Sequence, residues 1–319
     1  MDVLVRGSGV AGLSVAHELR LRGARVTVFD PWSDKRASWY AGGMLAPYCE
    51  RESADQRVID LGLRAADWWE TTLPCSVLRN GTLVLAATRD IKELGRFGAR
   101  TSHFDVLDEP AIAALEPDLA GRFGKGLYFR DEAHLDPRRV LIDLATKLAG
   151  DGVTFVMDLP QEAIGGFDEI IDCTGYSSAD GLLRGVRGEM LVLRTADVSL
   201  SRPVRLIHPR FPVYVVPRQD HTFMVGATMI ESDATGPITA RSMMELLNTV
   251  YTLHPAFGEA EIVETGVGIR PAYADNLPRV TSRGDAIMVN GLYRHGFLLA
   301  PAMAVQAAKL VFEGRNKTP

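Results

Sequence analysis

The segment MDVLVRGSGVAGLSVAHELRLRGARVTVFD constrains the fold more than any other, because it sets Gly7-x-Gly9-x-x-Gly12 behind a short apolar run and places Asp30 at its end. Asp2 to Arg6 reads as a buried strand, Gly7 to Gly12 as a tight turn, and Leu13 to Arg22 as a helix stopped by Gly23, a favoured residue just past a helix end. Arg25 to Phe29 reads as a second strand. Strand, glycine turn, helix and strand form the context in which this spacing becomes a dinucleotide fingerprint. The first glycine permits the turn, the second lets the backbone approach a pyrophosphate, and the third lets helix and strand pack closely. Amides at the helix start then face phosphate, where the helix dipole favours negative charge. Asp30 ends the second strand, where a carboxylate can bond both hydroxyls of an adenosine ribose. The same charge would repel a 2'-phosphate, which argues against NADP. This segment alone does not separate NAD from FAD.

The rest of the chain alternates between two styles. Ala54 to Glu70 has helical periodicity ending on Trp68 and Trp69, and Gly81 to Ala87 alternates like a strand. Asp136-Pro137 predicts a helix entry, with an acid at the cap and proline at the first position, running to Leu148. Val153 to Met157 and Glu169 to Cys173 read as strands closing on the first sheet. From Gly188 to Ala227 short β-rich runs, EMLVL, VRLIH, VYVVP and TFMVGAT, are separated by turn residues and predict an antiparallel sheet. A helix at about Thr239 to Leu253 and a strand region at Glu261 to Ile269 follow. The α/β pattern then returns, with Ala286 to Asn290 as strand, GLYRHG as a loop, and Pro301 to Phe312 as a helix closed by Gly314.

A chain of 319 residues exceeds the ~250 to 300 at which single cores stop growing, so two domains are expected. The order α/β, sheet, α/β interleaves them in sequence, with both ends of the chain in the nucleotide domain. Residues 1–75, 134–182 and 264–319 are assigned to that domain, and 76–133 and 183–263 to the other. A formal charge of -5 without a basic cluster argues against nucleic acid as a partner. Cys49, Cys75 and Cys173 are scattered and without CxxC spacing, which points to a reduced cytoplasm rather than a disulfide framework or zinc site. The seven histidines show no ligand spacing, so no metal is expected. No run approaches the ~20 apolar residues of a membrane span, and the glycine motif begins too early for a signal peptide.

After Asp30 the stretch SWYAGGML is small and flexible, and Gly42 and Gly43 would let the backbone approach a flat ring. With the fingerprint, this segment resembles the glycine oxidase, thiamine-pathway branch of the D-amino acid oxidase superfamily. HLDP at 134–137, VYVVPRQDHTFMVGATMIE at 213–231, GVGIRPAYADNLPRV at 266–280 and NGLYRHGFLLAP at 290–301 extend the resemblance across nearly the whole chain. It implies a Rossmann-type α/β domain binding FAD non-covalently, interleaved with a smaller α+β substrate domain built on an antiparallel sheet. It implies oxidation of glycine, an N-alkyl glycine or a small D-amino acid by hydride transfer from Cα to flavin N5, with O2 reduced to H2O2 and a role in thiazole synthesis for thiamine. The alternatives are an amino acid dehydrogenase with another electron acceptor, or a dinucleotide-binding subunit without catalysis. A homo-oligomer is expected by resemblance only.

Residue by residue, the resemblance carries cofactor contacts onto Gly7, Gly9, Val10, Ala11, Gly12 and Asp30, then Ser38, Gly42, Gly43 and Met44. Thr174 and Gly175 match the place where the chain passes the nucleotide again. Arg294, His295, Gly296, Phe297 and Leu298 would lie along the flavin, the last helix aiming its N-terminus at the ring. At the substrate end Arg270, in GIRP, matches a carboxylate-binding arginine, whose two parallel donors suit that ligand. Tyr214 matches a tyrosine on the same carboxylate, Arg294 a second arginine near the substrate, and Met229 an apolar residue beside the site, a position equally consistent with plain core. His134 is expected to support the turn into its helix, Cys173 to be a small core residue, and His295 to tune the flavin, touch substrate or fill the turn. The segment at 159–170 looks trimmed relative to the family, which would open the adenine side.

Overall fold

The computed structural model describes residues 1–31, 36–178 and 180–314. β1 (Asp2–Arg6) and β2 (Arg25–Phe29) pair in parallel and lie inside a six-stranded sheet. From one edge its strands are Arg279–Arg283, Ala286–Asn290, Glu169–Asp172, β1, β2 and Thr154–Val156, with only the first pair antiparallel. Between β1 and β2 runs α1 (Val10–Leu21), which starts three residues earlier than the glycine pattern predicts. The turn is therefore only Gly7 to Gly9, and Gly12 already belongs to the helix. A Cβ on Gly12 would lie 1.9 Å from the Gly7 carbonyl oxygen, so helix and turn can meet only because that side chain is missing.

The last helix departs from expectation for a reason that can be named. It begins at Gly296, not Pro301, and runs to Glu313 with the proline inside it. Pro301 has no N–H to offer the carbonyl of Phe297, four residues back, and that carbonyl accepts instead from Trp69 Nε1 at 2.8 Å. With a mean hydropathy of 1.3, this helix is by length and composition able to cross a membrane, contrary to the sequence expectation. Here it is a core helix, packed along α1 and against the strands at its back, as a helix apolar on most faces requires.

The predicted helix over 54–70 is two helices, Gln56–Gly62 and Ala65–Thr72, broken at Leu63 and Arg64. The break turns Trp69 inward until its ring lies 5.7 Å from that of Phe297. Asp136 caps its helix as expected, accepting from the Arg138 amide at 3.0 Å. His134 does not assist it: the ring is fully buried in the strand Ala133–Leu135, and burial pushes its pKa down to about 3.

The second layer is a nine-stranded sheet made by Thr82–Ala86, Asp105–Asp108, Lys125–Phe129, the strands between Arg184 and Glu231, and Glu261–Ala272. It is antiparallel except where Val204–Ile207 runs parallel to Thr82–Ala86. The long strand Glu261–Ala272 extends three residues past its predicted end and pairs with Arg184–Arg194 along its length. The helices Ile91–Arg100 and Glu109–Leu115 and the strand Arg279–Arg283 have no counterpart in the sequence reading. Three core clusters result among the described residues, one around the six-stranded sheet and one on each face of the nine-stranded sheet, with Leu83 and Leu85 in one and Val84 and Ala86 in the other.

Candidate active site

A single cavity of about 960 Å³ runs between the two sheets, from Asp30 at one end to Arg270 at the other. At its first end Gly7 has φ +94°, a conformation that favours glycine, and its missing Cβ would sit 2.7 Å from the Cys173 carbonyl oxygen. Gly7, Gly9, Val10 and Ala11 present backbone to the cavity, whereas Gly12 stands behind the turn and touches none of it. Cys173 is buried, and burial pushes its thiol up, which fits a packing role. Asp30 Oδ2 accepts from the Ser8 amide at 3.0 Å and the Ser8 hydroxyl, and Arg36 Nε lies 3.2 Å away. Thus the carboxylate at the end of β2 is held in place by the turn it follows. Ser38 reaches the start of α1, its Oγ 3.3 Å from the Val10 amide nitrogen.

Along the middle of the cavity run Gly42, Gly43 and Met44 on one wall and Thr174 and Gly175 on another. Both glycines also leave room for protein packed behind them. A Cβ on Gly42 would lie 2.7 Å from Tyr214 Cε2, and one on Gly43 would lie 2.2 Å from the Leu135 carbonyl oxygen. Arg218, which the sequence did not single out, donates to the Gly42 carbonyl at 2.7 Å, and burial pulls its pKa down to about 10. Asn290 Nδ2 ties the Gly175 carbonyl at 2.8 Å. His295, Gly296, Phe297 and Leu298 bring the start of the last helix to the same space, beside Val10 of α1.

At the far end the structure brings Arg270, Tyr214, Met229 and Arg294 to one chamber. Arg270 donates from Nη1 to the Thr228 carbonyl at 2.9 Å. Among the described residues it has no carboxylate partner, and Tyr214 has no hydrogen bond through its hydroxyl. Burial pulls the Arg270 pKa down and pushes the Tyr214 phenol up, so the phenol remains a donor at neutral pH. Gly188 leaves the room the guanidinium fills, since a Cβ there would be 2.3 Å from Arg270 Nη2. Met229 is 48% exposed and lines the chamber, which removes the plain-core reading. Its sulfur lies 3.4 Å from Arg294 Nη1.

Behind this chamber lies a buried charge cluster that sequence reasoning missed. α2 (Pro47–Glu50) ends on Glu50, whose carboxylate meets Arg205 Nη2 at 2.5 Å, Arg294 Nη2 at 2.9 Å and His295 Nδ1 at 3.4 Å. Burial would raise the Glu50 pKa, but Arg294 and Arg205 outweigh it and hold the carboxyl well below its usual range. For His295 burial dominates and lowers the pKa to about 4, so the ring is neutral at pH 7. Glu132 is buried next to the cluster, accepts from the Cys49 amide at 2.7 Å, and is pushed up to about 7 by burial. The available signal was modest: an arginine inside the alternating run VRLIH, and an acid six residues after Met44.

The donor set fits FAD. A cavity near the upper end of the ~300 to 1,000 Å³ of ligand sites joins a backbone cradle at a helix N-terminus, an acid at the end of the second strand, and an apolar middle. Residues 2–310 match the model of the DAO family, FAD dependent oxidoreductase, and the chain belongs to this family. Within it, the chain is 59% identical over 313 residues to a protein of Rhizobium etli that carries the name thiamine biosynthesis oxidoreductase ThiO, covering 97% of this chain and 96% of that one. It is 25% identical over 360 residues to a glycine oxidase of Bacillus licheniformis, covering 99% and 94% respectively. The solved glycine oxidase of Geobacillus kaustophilus has a TM-score of 0.81 at 22% identity, covering 99% of this chain and 95% of that one, a likeness of fold. The interleaved α/β and antiparallel architecture expected from the sequence is therefore borne out.

Proposed function

We propose that the chain is an FAD-dependent oxidase of glycine or a small related amine, an N-alkyl glycine or small D-amino acid, and that it serves thiamine biosynthesis. The observation that carries this reading is Arg270: a guanidinium facing the cavity, without a carboxylate partner among the described residues, beside a Tyr214 hydroxyl free to donate. Such a cation calls for an anionic ligand, and an amino acid carboxylate fits both donors. The names of the two relatives above support glycine as substrate and the thiamine pathway as setting.

When bound, non-covalently, FAD would supply a two-electron acceptor for a hydride from the substrate Cα, to be reoxidised by O2 with H2O2 as product. Gly7, Gly9, Val10 and Ala11 would hold its pyrophosphate by backbone amides, Asp30 its ribose, and Ser38, Gly42, Gly43, Met44, Thr174 and Gly175 its middle. His295 to Leu298, at the start of the last helix, would line the flavin end. Arg270 and Tyr214 fix the substrate by its carboxylate, and this orientation supplies much of the rate. The amine must be neutral before Cα can release hydride, and the imino acid forms as the nitrogen lone pair enters the new C=N bond. No side-chain base is needed for that step. We assign 1–75, 134–182 and 264–319 to the cofactor domain, 76–133 and 183–263 to the substrate domain, and place the reaction in the cytoplasm.

The purified protein should be yellow, absorbing near ~450 nm as oxidised flavins do. Glycine, sarcosine and D-alanine added without oxygen should bleach it at rates that rank the substrates, and air should restore the colour with release of H2O2. Failure of all three to bleach a flavin-loaded protein would remove the small amino acid reading.

A further inference from the structure

Three guanidinium groups stand at the substrate end, and they are not equivalent. Arg270 meets only a carbonyl, whereas Arg205 and Arg294 share the two oxygens of Glu50. The Glu50 side chain is 10% exposed, and its Oε2 lies within ion-pair distance of Arg294 Nη2 and 3.4 Å from His295 Nδ1 without a hydrogen bond to either. Arg294 donates to Ser53 Oγ at 2.6 Å and to the Met229 sulfur, a weak acceptor, and its buried Nε has no hydrogen-bond partner among the described residues. Arg205 is the direct cross-strand partner of Tyr214, which puts it one side-chain spacing from the clamp, about 5 Å between Cβ atoms. The chamber thus sets one uncommitted cation beside two that share a single carboxylate, which holds both in place but neutralises only one of the two charges.

We propose that Glu50 is a specificity-determining residue that sets the charge of the substrate: by committing Arg205 and Arg294 it restricts the pocket to amines bearing a single carboxylate. This inference rests on the amino acid reading above. A second carboxylate entering the chamber would lose its water while competing with Glu50 for arginines that Glu50 already holds, so its desolvation would be only partly offset. It would also approach the Glu50 charge. Neutralising that charge leaves two buried guanidinium groups seeking an anion, and a dicarboxylate that spans Arg270 and Arg205 would supply it. Selection against the wrong ligand by an internal acid is a form of rejection rather than of better fit.

The test uses the FAD-loaded enzyme and two ligands that cannot be oxidised, acetate and malonate, each titrated by the change in the flavin spectrum. Wild type should bind acetate at least about tenfold more tightly than malonate. Glu50→Gln should shift that ratio toward malonate by about tenfold or more, with a parallel shift in kcat/KM from sarcosine toward iminodiacetate. Arg294→Gln should move the ratio the other way, because Glu50 then neutralises Arg205 fully and no net positive charge is left in the cluster to attract a second carboxylate. Equal binding of the two ligands by wild type, or a ratio unmoved in both variants, overturns the proposal. If Glu50→Gln fails to fold, the wild-type ratio and the Arg294→Gln shift decide alone. Acetate binding without discrimination defeats only this inference, whereas no perturbation by either ligand together with no bleaching by glycine defeats the amino acid reading and this inference with it.

Discussion

The two ends of the cavity are built by opposite means. The end near Asp30 comes mainly from one contiguous stretch, Gly7 to Asp30, and works through backbone: a positive-φ glycine, a helix start and an acid steadied by Ser8. The end near Arg270 draws Glu50, Arg205, Tyr214, Arg270 and Arg294 from five places in the chain, and works through side-chain charge. A backbone site is fixed once the turn forms, so it can persist while the chemistry it serves changes. A side-chain site depends on strand register and on which charges are cancelled, so single substitutions can redirect it without touching the fold.

Breaking the first end should therefore cost the most. Gly12→Val places atoms inside contact distance of the Gly7 carbonyl, and neither the turn nor α1 can yield without moving the other. The expected result is a protein that loses its yellow colour and melts well below wild type, a cost at or above the ~1 to 3 kcal/mol typical of overpacking. A yellow variant with an unchanged Tm would show that the turn is not held as tightly as its geometry implies. Breaking the second end should spare the cofactor. Arg270→Ala removes one charge-assisted pair, worth about 2 to 5 kcal/mol, so kcat/KM for glycine should fall by roughly 30- to several thousand-fold with the ~450 nm absorbance intact. Loss of flavin from this variant would mean that the two ends are not independent.

The same contrast explains what could be read from the sequence. The glycine spacing, the acid after the second strand and the proline-marked helix start are local signals, and Gly7, Asp30 and Asp136 stand where they were expected. Pro301 misled, because a proline usually marks a helix start, and only the tertiary contact from Trp69 to Phe297 makes its interior position acceptable. Gly42 and Gly43 carry a second constraint that no local signal shows, because the atoms a Cβ would meet belong to Tyr214 and Leu135, 172 and 92 positions away in the chain. Glu50 and Arg205 were missed because nothing local marks a buried acid or an arginine within a strand. Their meaning appears only when cross-strand register sets Arg205 beside Tyr214.

A pH dependence sharpens the charge side of the comparison. Burial raises the pKa of Glu132 to about 7, even with Arg205 and the Cys49 amide pulling the other way. The folded protein therefore holds a proton that the unfolded chain releases near its ordinary ~4.3. The Glu132 contribution to stability is therefore greatest below that value, falls as pH rises toward 7 and is level above it. Buried His134 and His295, whose pKa values are lowered, contribute the opposite slope below ~6.5, so the Glu132 effect is read as a difference between proteins. Glu132→Gln should gain on wild type as pH rises from 5 to 8 and be more stable at pH 8 by about 1 to 3 kcal/mol, read from urea midpoints at several pH values. A difference between the two proteins that does not change between pH 5 and 8 would place the proton elsewhere in the cluster.

The smallest effect expected is that of Tyr214→Phe. The ring packs against Gly42 and Gly226, where added Cβ atoms would lie 2.7 and 3.0 Å from ring carbons, and phenylalanine keeps most of that packing. Only the hydroxyl is lost. Since burial raises the phenol pKa, the hydroxyl is a neutral donor at working pH, and one hydrogen bond to a carboxylate is worth about 1.5 kcal/mol at the lower end of its range. The variant should bind FAD as wild type does and lose roughly tenfold in kcat/KM for glycine. A loss as large as that of Arg270→Ala would mean that the tyrosine and the arginine act as one unit. In that case the double variant should be little worse than either single one, and the clamp would be a coupled pair rather than an arginine with an assistant.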